Sequence, residues 1–255
     1  MAEPCILTDL KVYLGGTDLT ATLNSCELTA ANAELANGRF SDTAEVFFPG
    51  LRQVRANVSG FFEAGAGAPD PLAWSRIDAA LTPSAWPLTL APPTAPTAAA
   101  GAEGNIAYTI VGREFSYGIG GQHGQLLPYR LSTLPSSAYD LYRQTIDRAK
   151  ATVTATTTST GYQLGALSAT QKIVAVLHVF AITGGSWVLT VQSDDNSGFT
   201  SATTRITFAA VTTAPSTEVK VLNGAVTDDW WRSVQTKTGG TDLTYMVALG
   251  IANIV

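Results

Sequence analysis

Apolar and polar residues alternate along most of the chain, which is the pattern of half-buried β-strands. In residues 53–62, the odd-numbered Arg55, Asn57 and Ser59 separate small or apolar neighbours. The run from Ile173 to Ile182 is almost continuously apolar and predicts a central strand buried on both faces. The pattern predicts strands over residues 7–14, 19–28, 45–48, 53–62, 86–90, 106–117, 125–131, 173–182, 187–192, 205–211, 218–222, 231–236 and 243–251.

One helix interrupts this β pattern. Asp70 is suited to cap a helix and Pro71 to occupy its first position. Apolar residues then recur at helical spacing until Pro83, which cannot continue a helix. The sequence therefore predicts a helix over residues 71–81.

Two segments have a weaker pattern. Residues 30–42 are small and polar, with Asn37-Gly38 as a turn signal, and they predict an exposed loop. Residues 138–153 suit a helix or a strand about equally. The threonine-rich stretch that follows favours the strand, because β-branched residues fit a pleated surface.

Many short strands with turn signals between them indicate a mainly β protein. We expect two consecutive domains. Residues 1–135 would form an antiparallel β-barrel or sandwich with the inserted helix 71–81, and residues 136–255 a jelly-roll-like β-sandwich.

The charge of the chain argues against one class of function. The chain of 255 residues carries 15 Lys+Arg and 20 Asp+Glu, a formal net charge of −5. Without a basic excess or a basic run, nucleic-acid binding through a basic surface is disfavoured. The longest apolar run has 10 residues, against about 20 for a membrane-spanning helix. The first ten residues have no basic region followed by an apolar core, so no signal peptide is predicted there.

Catalytic chemistry has few candidate residues. His178 lies in the most apolar strand, where a buried core histidine is expected. His123 lies in the glycine-rich segment Gly118–Gly124, without a recognisable nucleophile or carboxylate partner. Two cysteines and two histidines at unrelated spacings do not make a zinc site. The sequence predicts no enzyme, no catalytic residue, no cofactor and no metal ligand.

Three alternatives remain open on the residues alone. Asp194-Asp195 and Asp228-Asp229 are either solvated turns or oxygen ligands of a structural calcium ion. Cys5 and Cys26 are either free thiols or a disulfide.

The tryptophans are the third open question. Trp230 and Trp231 are adjacent in a strand, so their side chains point to opposite faces. With Trp187 they form either a core plus a protein interface, or a platform for sugar rings.

Five segments of the C-terminal half resemble a segment found in major tail proteins of long-tailed bacteriophages. They are AVLHVF (175–180), VQSDDNSGF (191–199), RITF (205–208), TDDWWR (227–232) and VALGI (247–251).

The N-terminal half is similar to the tail tube subunits of the same phages. LKVYL (10–14) and LRQVRANVSGFFEAG (51–65) resemble their first strand and their Ser-Gly-Phe strand. In these subunits a helix follows the latter strand, as predicted here over residues 71–81.

The resemblance implies a structural virion protein of the tail, assembled in the host cytoplasm. Such subunits form rings, usually of six, that stack into a tube and contact other tail proteins. DNA passes through the lumen without specific binding. Strands of neighbouring subunits join in the wall of the lumen, which leaves no exposed edges.

Residues 1–130 hold 7 Lys+Arg against 12 Asp+Glu, so some carboxylates are expected in the lumen, where they would repel DNA. We expect Asn37, Arg39 and Asp42 to contact the next ring, and Trp230 to lie at an interface. The alternative functions are a capsid decoration protein and a carbohydrate-binding module for host attachment.

Overall fold

The structure is a computed structural model that describes residues 9–36, 47–65, 68–78, 86–95, 98–135 and 141–254. The protein is mainly β, with antiparallel sheets and, in these ranges, a single α-helix, as the sequence predicted. No helix among the described residues is long and apolar enough to cross a membrane.

The elements have the following bounds. The helix α1 spans Pro69–Asp78. The strands are β1 (Lys11–Leu14), β2 (Thr17–Asp18), β3 (Leu23–Ala36), β4 (Phe47–Phe61), β5 (Trp86–Ala91), β6 (Ile106–Ile119), β7 (Pro128–Pro135), β8 (Leu141–Val153), β9 (Thr157–Thr158), β10 (Tyr162–Gln163), β11 (Gln171–Thr183), β12 (Trp187–Asp194), β13 (Thr203–Thr207), β14 (Ser216–Asn223), β15 (Trp230–Lys237) and β16 (Asp242–Asn253).

The chain divides into two compact units that interleave along the sequence. Unit 1 comprises Met1–Ala21, Trp86–Thr109 and Tyr142–Val255, and unit 2 comprises Thr22–Ala85 and Ile110–Leu141. The consecutive domains 1–135 and 136–255 remain a prediction.

Unit 1 contains two sheets that pack face to face as a β-sandwich. One sheet includes β14, β11, β16 and β8 in this order, and the other has the order β10-β15-β12-β13, with β9 also on β15. Their facing side chains form one core, in which Trp187 and Trp231 are fully buried. Large buried apolar faces on both sheets explain why this half of the chain gave the clearest strand pattern.

Strand β11 is buried on both faces, as its apolar run predicted. Ile173, Ala175 and Leu177 face the core between the sheets. Val174 and Val176, which alternate with them, are also fully buried. The first sheet of unit 1 continues from β8 through the start of β6 to β5, β1 and β2, and β2 contacts β11.

Unit 2 is built on a four-stranded antiparallel sheet with the order β3-β4-β7-β6. On β4, Val54, Ala56 and Val58 are buried whereas Arg55 is exposed, which confirms the predicted alternation. Helix α1 lies against the apolar face of this sheet. The hydroxyl of Tyr117 on β6 donates to Asp70 at 2.9 Å.

Three segment predictions were wrong in detail. The predicted strand 19–28 begins only at Leu23, because Thr20–Thr22 form a 3-10 turn. Residues 30–36 are not a loop but the second half of β3, because they pair with β4 from Ala30↔Val54 to Ala36↔Phe47. The predicted strands 45–48 and 53–62 are one strand, β4. The ladder overrides the weak β propensity of alanine and asparagine. The rest of the predicted loop, residues 37–42, lies outside the described residues.

The helix and the ambiguous segment match their predictions more closely. Helix α1 begins two residues before Pro71, and the predicted end at residues 79–81 lies outside the described residues. The segment 138–153 is a strand from Leu141 onwards, as favoured.

Candidate functional site

A two-stranded ribbon extends from the sheet of unit 2. Strand β4 pairs with β7 only from Ala56 to Phe61, whereas its pairing with β3 continues to Ala36↔Phe47. We call residues 29–36 and 47–55 the arm. At about 3.3 Å per residue, its eight β3 residues span roughly 26 Å.

The outer edge of β3 has no strand partner in the described part of the chain. Strand β4 is the one strand that pairs with it there. From Asn24 to Glu34, most β3 side chains are exposed and none is buried. An edge of this length presents a row of unpaired N–H and C=O groups that can accept another strand.

The face of this sheet opposite helix α1 is polar. Residues directly opposite each other in a ladder share a face, so the register Asn57↔Ser132↔Ser116 places three polar side chains in one row. The charged residues Glu27, Arg55 and Arg130 lie on the same face.

A hollow of about 450 Å³ opens on this polar face. Its lining includes the polar residues Asn57, Ser59, Ser116, Arg130 and Ser132. The described lining residues include no carboxylate. This hollow was not predicted from the sequence, because it depends on which residues of three strands lie opposite each other.

Four exposed apolar side chains lie where β4 ends and the β6–β7 hairpin turns. Phe61 is 42% exposed, Ile119 53%, Leu126 71% and Leu127 41%. The Phe62 N–H donates to the Leu127 carbonyl at 2.8 Å. The register Phe61↔Pro128 and Ile119↔Tyr129 puts Phe61 and Ile119 on opposite faces of the sheet, so the four side chains do not form one patch.

Of the predicted interface residues, the structure describes one. Trp230 is partly exposed at the start of β15, where it lies between Gln163 of β10 and Asp194 of β12. Asn37, Arg39 and Asp42 lie outside the described residues.

The tryptophan question is settled for two of the three side chains. Trp187 and Trp231 are core residues of unit 1, and Trp231 Nε1 donates to the Gly165 carbonyl at 3.0 Å. A stacking platform made of all three tryptophans is therefore not present.

Neither histidine has a catalytic arrangement around it in the described part of the chain. His178 is fully buried in β11, and burial lowers its pKa to about 3, so it is neutral in the folded protein. His123 lies exposed in the β6–β7 connection.

The acidic pairs bond to protein groups. Asp194 accepts hydrogen bonds from the backbone N–H of Ser201 and from its own turn, and these contacts lower the pKa of Asp194. Asp228 accepts from Ser193 and from Arg205 at 3.0 Å. Among the described residues, no three His, Cys, Asp or Glu side chains cluster as metal ligands.

Cys26 is a free thiol on β3. Burial, with the nearby Glu27 carboxylate, raises its pKa to about 11, so the thiol is protonated at neutral pH. Its candidate disulfide partner Cys5 lies outside the described residues.

Comparison with known proteins gives distant structural likeness and no sequence match. No protein-family model matches the chain, and no curated protein sequence matches it either. The chain is similar to a chain of the virion of the native gene transfer agent (GTA) particle, with 11% identity and a TM-score of 0.37, over 52% of this chain and 95% of that one.

Two further solved structures are similar over nearly the whole chain. The SPP1 Dit protein, described as a paradigm of the hub adsorption apparatus in phages infecting Gram-positive bacteria, has 12% identity and a TM-score of 0.33, covering 95% of this chain and 99% of its own. A chain of infectious bursal disease virus, Gx strain, has 11% identity and a TM-score of 0.28, covering 98% and 57%. These values are too low to establish a shared fold.

Proposed function

We propose that the chain is a structural subunit of a bacteriophage tail tube, which self-assembles into stacked rings around a lumen for DNA. It acts within the virion tail, assembles in the host cytoplasm, contacts other tail proteins and has no catalytic role. The observation that carries this proposal is the free edge of β3.

A strand edge of 14 residues that has no partner in the described part of the chain is a liability in a monomer, because it can pair with any exposed strand. In a ring the same edge is useful, since each subunit can add its sheet to the sheet of its neighbour. A head-to-tail contact that closes on itself gives a ring without free edges. The polar face of unit 2 would then be continuous around the ring.

The arm suits the stacking of rings. Residues 37–46 connect β3 to β4, and they include Asn37, Arg39 and Asp42. These three residues are the proposed contacts with the next ring, and Trp230 of unit 1 is a further proposed contact. Polar and charged groups at such a contact give register and salt sensitivity more than affinity.

The carbohydrate-binding alternative depended on a platform of three tryptophans, and two of them, Trp187 and Trp231, lie in the core. A capsid decoration protein would use the same β-rich units without needing the free edge of β3. Self-association of the purified chain therefore separates the two functions.

Sedimentation velocity over a range of protein and salt concentrations tests the proposal. A tube subunit forms a discrete ring species that grows into larger particles as the protein concentration rises. A species that remains monomeric or trimeric at every protein and salt concentration contradicts the proposal and favours the decoration protein.

A further inference from the structure

The sheet of unit 2 has a second unpaired edge, on β6. Strands β5 and β8 pair only with the first part of β6. The Thr89 hydroxyl contacts that of Thr109, and β5 begins three residues before Thr89, so β5 extends only to about residue 112. The Ile146 N–H donates to the Asn105 carbonyl, and β8 begins five residues before Ile146. The outer edge of residues 116–119 therefore has no strand partner in the described part of the chain.

Both edges of this sheet leave apolar side chains incompletely buried on the same face. On the inner strands of the sheet, Val58 and Leu131 of this face are buried. At the edges, Ile119 of β6 is 53% exposed, and Cys26 and Leu28 of β3 are partly exposed. A further strand beside either edge would cover this apolar surface.

The polar face carries opposite charges towards the two edges. Arg130 of β7 lies directly opposite Gly118 of β6. A Cβ added at Gly118 would meet nothing within 4 Å, so the way from Arg130 to the outer side of β6 is open. Glu27 is exposed on β3, on the same face of the sheet. Neither Arg130 nor Glu27 has an ion-pair partner among the described residues.

We propose that β6 of one subunit pairs with β3 of a second copy of the chain, and that Arg130 forms an ion pair with Glu27 of that copy. The proposal rests on the ring assembly proposed above. The strands β3, β4, β7 and β6 alternate in direction, so a rotation from one subunit to the next makes β6 antiparallel to the new β3. The same rotation keeps polar face beside polar face.

The register of this β6–β3 contact follows from the side chains. With Glu27 of the second copy opposite Gly118, antiparallel pairing sets its Cys26 opposite Ile119, so apolar edge side chains meet. Two strand spacings, about 10 Å, then separate the backbones at Arg130 and Glu27, which two long side chains can bridge above a glycine. A shift by one residue would place apolar side chains on the polar face. A shift by two would move Glu27 away from Gly118.

Sedimentation velocity of charge-reversal variants of the full chain tests the pair. The variants are Arg130→Glu and Glu27→Arg, each alone and both mixed in a 1:1 ratio. The matched control is Arg143→Glu, which reverses an exposed arginine on β8 of unit 1. A further variant, Gly118→Val, fills the space above β6; Gly118 has no positive φ, so its backbone accepts a side chain. Thermal unfolding checks that each variant is folded.

We expect each single reversal to weaken self-association by about tenfold or more, because like charges then face each other at every contact. The 1:1 mixture should recover self-association close to that of the wild-type protein. In it the two variants alternate, and every contact again joins one positive and one negative side chain. Gly118→Val should also weaken self-association, whereas Arg143→Glu should leave it unchanged.

Two results overturn the pair while the ring assembly stands. One is self-association of both folded reversal variants at the level of the wild-type protein. The other is a 1:1 mixture that self-associates as weakly as each variant alone, since a pair within one chain gains nothing from mixing. A wild-type protein that stays monomeric at every protein and salt concentration overturns the ring assembly itself, and the β6–β3 contact with it.

Discussion

The backbone N–H of Gly16 donates a hydrogen bond of 3.3 Å to Nδ1 of His178, 162 residues away in the sequence. Because Nδ1 accepts, the ring proton of neutral His178 lies on Nε2, which is 2.9 Å from the hydroxyl of Thr89. Thr89 in turn contacts the Thr109 hydroxyl at 2.9 Å. A buried chain of polar groups thus joins β1–β2, β5 and β6 to β11 within unit 1.

Replacing His178 by phenylalanine keeps a ring of similar size but leaves the buried Gly16 N–H without its partner, whereas the Thr89 hydroxyl keeps its contact with Thr109. An unpaired buried group costs about 1–3 kcal/mol, so we expect a loss of roughly 1–3 kcal/mol in the free energy of unfolding. Urea unfolding measures this loss. The control His123→Phe, in the exposed β6–β7 connection, should change stability by about 0.5 kcal/mol or less. Equal losses in the two variants contradict the account.

His178 also makes stability depend on pH. Burial lowers its pKa to about 3, whereas the unfolded chain takes up this proton near pH 6.5. The contribution of neutral His178 is therefore complete above about pH 6.5 and is lost as the pH falls towards 3. Between about pH 7 and pH 5, wild-type stability should fall by about 1–2 kcal/mol more than that of His178→Phe. Parallel pH profiles, measured by urea unfolding, would argue against a buried neutral histidine.

Asp147 affects the pH dependence of stability in the opposite direction to His178. It lies buried on β8 and accepts hydrogen bonds from the Ser159 hydroxyl and, at 2.8 Å, from the Ser233 N–H. Burial nevertheless raises the pKa of Asp147 to about 6, above its usual value near 3.9. Its contribution is thus present below about pH 3.9 and is lost as the pH rises through 6.

Asp147→Asn should therefore gain stability relative to the wild-type protein, by about 1–3 kcal/mol, between about pH 4 and pH 8. Urea unfolding at a series of pH values measures this gain. If the difference in the free energy of unfolding between Asp147→Asn and the wild type does not change with pH, the account of a buried Asp147 is wrong.

Gly16 is required by space as well as by backbone conformation. Its φ is +85°, and an added Cβ would clash with the backbone oxygens of Ser216 and Val179. Gly224 has a φ of +105° but open space around an added Cβ. Gly224→Ala should cost about 1–2 kcal/mol for the strained backbone alone, and Gly16→Ala should cost clearly more. Thermal unfolding of the pair checks this order, and similar costs would contradict the close packing of the β1–β2 turn.

The edge of β3 can be tested with two neighbouring prolines. Successive N–H groups of an edge strand point to opposite sides, so Ala30→Pro and Ala31→Pro remove one inward and one outward donor. The variant without the outward donor should keep native thermal stability but lose self-association, because it blocks only the pairing of subunits. Ala155→Lys, at an exposed position of unit 1, should assemble normally. Normal self-association of both proline variants would exclude the β3 edge as the contact.

The sequence predicted those parts of the fold that depend on local burial. For β11 and β4, the sequence pattern predicted which side chains are buried and nearly the right strand length. This was possible because burial itself imposes the apolar run and the alternation. The second half of β3 escaped prediction, since its exposed alanines and asparagine form a strand only through the ladder with β4.

The candidate sites were predicted less well than the fold. The polar hollow that Arg130 lines depends on cross-strand register, and register is not visible in the residues of one strand. The Trp230–Trp231 pair shows the intermediate case. The strand period predicted that the two side chains point to opposite faces, but only the packing showed that Trp231 is the buried one.

Negative-stain electron microscopy of the purified, concentrated chain at several salt concentrations tests the central claim most directly. The account predicts rings, and tubes of stacked rings, with a central hole a few nanometres wide, and their loss in the β3 variant without the outward donor. A uniform population of compact monomers or trimers under every condition would contradict it.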